Sequence, residues 1–162
     1  MRVLASNRVL PLIIPLDRKG NKTPIGKKRI SYREEWQKQH WKSLESAYRA
    51  TPYFTYYEDA LAPLYFETHE MLLDFHLKGL EWVLTVLNHR VPLRLTDRYL
   101  PAESYTRDYR ESFDPTGVHL PGWFQPLPYP QVFEGFHPGL SVLDLVFNEG
   151  PQAAILLRQM LR

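Results

Sequence analysis

The chain has 162 residues, 44% of them apolar and 14% aromatic, enough to bury a core of ordinary domain size and too many for a disordered segment. It has no cysteine, which excludes disulfides, thiolate nucleophiles and Cys-ligated zinc, and makes a reducing cytoplasm the default compartment. No run approaches the roughly 20 apolar residues of a membrane span, and no signal peptide is read at the start. The net charge of +2 divides unevenly: residues 1–50 carry 12 Lys and Arg against 4 Asp and Glu, the remainder 8 against 14.

Residues 2–6 and 9–16 read as two short strands around Asn7-Arg8, with Pro11 and Pro15 placing the second at an edge. Asp17 to Lys28 is polar and contains Gly and Pro, as a mobile loop does. A helix is predicted from near Ser31, where Ser31-Tyr-Arg-Glu34 has the form of a capping box. Its apolar face is Trp36, His40, Leu44, Ala47 and Tyr48. Thr51-Pro52 ends it and opens a second helix over about 52–65. A third follows over about 67–88, and Val91-Pro-Leu-Arg-Leu-Thr96 reads as a strand leading out.

Residues 100–138 are rich in Pro, Gly and aromatics and show no period. A stretch of that length is a functional loop or an anchored lid. Ser141 then N-caps an apolar helix, with Asp144 as its N3 partner. Gly150-Pro151 breaks that helix, and a last one runs to about Leu161. The expectation is one mixed α/β domain over 1–162, mostly helical, with a small sheet that includes the N-terminal β-hairpin and the strand near 91–96, packed against several helices.

The chemical motifs are mostly weak. Gly20 to Lys28 has five residues between its glycines and Lys28 in place of the magnesium-binding hydroxyl, so it is not a phosphate loop. His69 and His76 are placed seven apart on one helix face, with Glu70 and Asp74 nearby. Zinc helices set two His four apart, so no metal is expected. Gly139-Leu-Ser141 lacks the second glycine of a nucleophile elbow. Asp144, Asn148 and Glu149 punctuate an apolar run, where an isolated charge must find partners; a helix cap and a contribution to a site both account for them. Lys27, Lys28, Arg29, Arg33, Lys38, Lys42 and Arg49 interleave with Tyr32, Trp36 and Trp41, a pattern that suits nucleic acid. Trp36 and Tyr48 fall on the apolar face and the whole domain is not strongly basic, so nucleic acid is not the expected partner.

Two blocks are more informative. Trp36-Gln-Lys-Gln-His40-Trp41, continuing to Pro52-Tyr53-Phe54, resembles the helix pair of the WbqC-like family. Tyr129-Pro-Gln131-Val-Phe133, then Leu140-Ser141-Val-Leu-Asp144 through Asn148-Glu149-Gly150-Pro151, resembles that family's C-terminal signature. The resemblance implies a bacterial protein of O-antigen and other surface-polysaccharide gene clusters. Transfer of glycine or a similar acyl group to an amino sugar is the activity suggested for the family. It also implies that the family's N-terminal region is missing here, which exposes a sheet edge for self-association into a homo-oligomer. A sugar-nucleotide or acyl donor is the implied partner, and no cofactor is identified. The candidate site takes His40 as base, Asp144 to orient it and Arg33 to hold an anionic donor, with Tyr129, Gln131, Asn148 and Glu149 binding substrate. The alternative is a non-catalytic binding module with a basic, anion-facing half.

Overall fold

A computed structural model describes residues 1–6, 8–17, 23–113 and 120–161. The phosphate-loop candidate and the polar loop after Asp17 lie partly outside these residues. The hairpin forms as strands β1 (Arg2–Ala5) and β2 (Arg8–Pro11), antiparallel with Arg2 opposite Pro11 and Ala5 opposite Arg8. Consecutive Val3 and Leu4 are both buried, so β1 is covered on both faces. Its outward Arg2 carbonyl accepts from the Ser141 N–H at 2.9 Å, which ties the hairpin to the C-terminal signature.

Helix α1 (Trp36–Tyr48) begins later than Ser31. The capping box does not form, because the backbone around it is spent elsewhere. The Ser31 N–H donates to the Pro15 carbonyl and the Ile30 N–H to the Glu70 carbonyl, while Arg29 and Ile30 form bridges to Met71 and Leu16. Residues paired on both sides in extended geometry cannot also be the first turn of a helix. From Trp36 the helical period takes over, and Trp36, His40, Leu44, Ala47 and Tyr48 form the buried face as expected.

Thr51 closes α1 with its N–H and hydroxyl both on the Tyr48 carbonyl. Helix α2 (Phe54–Phe66) follows, and then α3 (Leu72–Val86). His69 therefore precedes α3, which corrects its assignment to one helix face with His76. Its ring nitrogen lies 3.1 Å from the Leu64 carbonyl and the residue is buried. Asn88, at φ 49°, ends α3 in left-handed geometry.

The strand expected over 91–96 is absent; among the described residues the sheet has two strands, β1 and β2. The alternation of Val91, Leu93 and Leu95 is real, but all three are exposed and no strand edge lies alongside. Pro92 removes one donor from any ladder that segment would make.

Ser141 does cap the next helix, α4 (Val142–Glu149), its hydroxyl accepting from the Leu143 N–H at 3.4 Å. A 3₁₀ turn over Gly150–Gln152 leads into α5 (Ala153–Gln159). The core gathers Val3, Leu44, Phe54, Val146 and Phe147, all with no exposed surface. Phe147 packs 5.1 Å from the rings of both Tyr48 and Phe54.

Candidate functional site

Among the described residues Asp144 is the one buried carboxylate, at 1% exposure on the first turn of α4. An ion in that position needs donors aimed at it. Two come from the aperiodic loop before the helix. The Tyr129 hydroxyl donates to Asp144 Oδ2 at 2.7 Å, and Gln131 Nε2 donates to the same oxygen at 2.9 Å. Gln131 then closes its own loop, with Oε1 accepting from the His137 N–H at 2.8 Å and Nε2 reaching the His137 carbonyl at 3.2 Å. The long loop is thus folded back on α4 by a single amide and a single carboxylate.

Tyr48 of α1 approaches from the other side. Its hydroxyl is buried beside Asp144 and the Leu4 carbonyl, without good hydrogen-bond geometry to either. Burial, reinforced by the Asp144 charge, pushes the Tyr48 and Tyr129 phenols well above their ordinary values, so both stay protonated at any physiological pH. Asp144 does not act as the helix's N3 cap partner, because its side chain is turned inward to these donors.

A pocket of about 440 Å³ opens in front of this network. Tyr129, His137, Gly139, Ser141 and Arg2 supply its polar groups, and the Arg2 guanidinium donates to the Gly139 carbonyl at 3.4 Å. Most of the lining is apolar, including Phe113, Leu120, Phe124 and Pro126 from the loop and Leu157 and Met160 from the C-terminal end. The Gln125 N–H donates to the Met160 carbonyl at 2.7 Å and holds the two apolar segments together. Tyr129 lines the pocket while Asp144 stands behind it.

The other expected site residues fall elsewhere or serve the fold. His40 is buried on α1 between the rings of Trp36 and Tyr65, its Nε2 3.1 Å from the Ile13 carbonyl. Burial lowers its pKa below the ordinary imidazole value, partly offset by that carbonyl. Eight residues separate it from Tyr48, about 12 Å of helix rise, and no hydrogen bond joins it to Asp144. Arg33 is exposed ahead of α1 and does not line the pocket. Asn148 donates from Nδ2 to the Asp144 carbonyl at 2.7 Å, inside its own helix. Glu149 is half-buried and close enough for its charge to act on Tyr129. Among the described residues no group of three His, Asp or Glu side chains is placed to hold a metal ion.

In the basic N-terminal half three of the nine described cations form ion pairs among the described residues. Arg29 pairs with Glu70 at 2.5 Å, Lys38 with Glu35, and Arg49 with Glu45 and Glu58. Trp36 is 2% exposed and cannot stack on a base.

The family model of the WbqC-like proteins matches residues 1–109 and 98–155. The chain belongs to the WbqC-like protein family. A relative is the uncharacterised protein Rv1507c of Mycobacterium tuberculosis (strain ATCC 25618 / H37Rv), 27% identical over 97% of this chain and 79% of its own length. No solved structure matches. The geometry gives the two WbqC-like blocks a shared physical role. The Tyr53 N–H, from the first, donates to the Phe147 carbonyl of the second at 3.1 Å. Gly150, at φ 52°, lies so close to Tyr53 that a Cβ there would stand 2.5 Å from the ring. The blocks are the two halves of one packing seam, and the seam sets the position of α4 and so of Asp144.

No helix in the described residues is long and apolar enough to cross a membrane.

Proposed function

We propose that this WbqC-like chain serves surface-polysaccharide biosynthesis as a transferase or an accessory factor of one, and that its donor occupies the pocket in front of Tyr129 and Asp144. One observation carries the reading: a pocket-lining phenol whose proton is already directed to a buried carboxylate, 2.7 Å away. Because that O–H points backward, the Tyr129 oxygen offers a lone pair forward, to the N–H or O–H of an acceptor. As the acceptor attacks an acyl carbon, its proton passes to the Tyr129 oxygen while the Tyr129 proton passes to Asp144. The acceptor's nitrogen or oxygen forms the new bond and the carrier leaves with the electron pair of the broken one; Tyr129 then gives its outer proton to the carrier and takes back its own from Asp144. Tyr129 stays neutral throughout, which suits a phenol held far above its usual pKa.

In this reading Gln131 keeps Asp144 and the loop in register, Asn148 and Glu149 complete the end of α4, and Arg2 replaces Arg33 as the cation at the donor's head. His40 has no chemical part, since its ring is committed to the Ile13 carbonyl.

The test is a thermal-shift and turnover screen with sugar nucleotides, acyl thioesters and inorganic polyphosphate, run on the wild type and Tyr129→Phe. The reading expects stabilisation by a donor of the first two classes, and loss of turnover in Tyr129→Phe with the fold retained. Stabilisation by polyphosphate alone, abolished by moderate salt, would instead favour an electrostatic binding module.

A further inference from the structure

We infer that the pocket accommodates an aliphatic acyl group of medium length, its carbonyl end at Tyr129 and its chain against Phe113, Phe124 and Leu157. The inference rests on the reading of this pocket as the donor site and names the chemical class of that donor.

The lining is mostly apolar with a few polar groups among it. Arg2, Tyr129, His137 and Ser141 supply the polar groups; Phe113, Phe124, Leu157 and Met160 supply apolar surface, as do Phe136 and Leu140 from the same stretch as the polar groups. A nucleoside would leave its base and ribose donors facing phenylalanine and leucine, each an unmade hydrogen bond in a dry wall. Glycine would leave the apolar half empty. A peptide or protein partner needs an interface on the order of 1,000 Å², whereas a concave space of about 440 Å³ is the size of small-molecule pockets. An aliphatic chain with one polar end satisfies both kinds of lining at once. Arg2 meets an anionic or carbonyl head there, since its contact to Gly139 uses only one of its five donors.

Carboxylates of four, six, eight, ten and twelve carbons, titrated below their micellar concentrations, test this directly by calorimetry. Each added methylene buried should tighten binding roughly fourfold until the pocket is full, after which affinity levels off. Leu157→Trp narrows the apolar end and should move the levelling to a shorter chain. Leu157→Ala should move it to a longer one and covers the case in which the tryptophan variant misfolds. Affinity independent of chain length, or a levelling point indifferent to both variants, would overturn the inference. If sugar nucleotides protect this pocket while the acids do not bind, the acyl assignment falls and the donor site remains. If the acids follow the length rule but Tyr129→Phe turns over normally, the acyl pocket remains and the catalytic reading falls.

Discussion

Replacing Gly150 by Ala tests the seam that positions the site. The residue is at φ 52° and ψ −123°, a conformation that an L side chain adopts only under strain of about 1–3 kcal/mol. The added Cβ would stand 2.5 Å from two Tyr53 ring carbons and 2.7 Å from a third. Tyr53 cannot simply swing away, because its N–H is fixed to the Phe147 carbonyl and the next residue, Phe54, is fully buried. Relieving that overlap costs about 1–3 kcal/mol more. The expected loss is about 2–6 kcal/mol in urea denaturation, or roughly 4–24 °C in melting temperature for a chain of this size. Gly122→Ala is the control, since its Cβ would meet nothing within 4 Å, and it should change stability by less than about 0.5 kcal/mol. Equal, small effects of the two substitutions would refute the close approach of α4 and Tyr53.

Stability should also fall as the pH drops below about 6.5. His40 and His69 are held neutral by burial, so the unfolded chain takes up protons at a higher pH than the folded one. Melting temperatures between pH 8 and 5 check this; they should be level above pH 7 and decline below it, with a shallower decline in His40→Gln, and a flat profile would contradict it. Asp144→Leu should cost about 2–5 kcal/mol, because the Tyr129 hydroxyl and the Gln131 amide lose their acceptor in the interior. Asp144→Asn, which retains an acceptor oxygen, should cost less, and the opposite order would show that the donors bind elsewhere. Asn148→Ala should cost no more than about 1 kcal/mol and leave ligand binding unchanged, since its amide serves the Asp144 carbonyl alone.

Where a local signal and the tertiary structure agree, the sequence was readable. The hairpin, the buried face of α1, the Ser141 cap and the break at Gly150 all follow from the period of apolar residues and from turn chemistry. The start of α1 was not, because the capping pattern at Ser31 competes with backbone pairing to residues 15–17 and 70–72 that are distant in sequence. The segment 91–96 has a strand's alternation but no edge to join, and alternation alone cannot supply one. His69 looked helical because the apolar stripe of α3 extends backward to it.

At the site, Tyr129, Gln131 and Asp144 stood out in the resemblance and the structure joins them by hydrogen bonds. The signal for His40 was its place on a family block, and that block turns out to be a packing seam. Arg2, Phe113, Phe124 and His137, which line the pocket, carried no sequence signal, since aperiodic segments do not reveal what they will face. An isolated acid inside the apolar run 140–147 was the most informative single feature. Burying it obliges the chain to bring donors, and the donors mark the pocket.

Amide hydrogen exchange with octanoate bound tests the central claim most directly. Slowed exchange confined to the lining segments, around Arg2, Phe113, residues 124–145 and residues 157–161, and weakened in Tyr129→Phe, is the result predicted by a donor site in front of Asp144. Slowed exchange around residues 36–44 instead would contradict it, and so would no slowing with either octanoate or a sugar nucleotide.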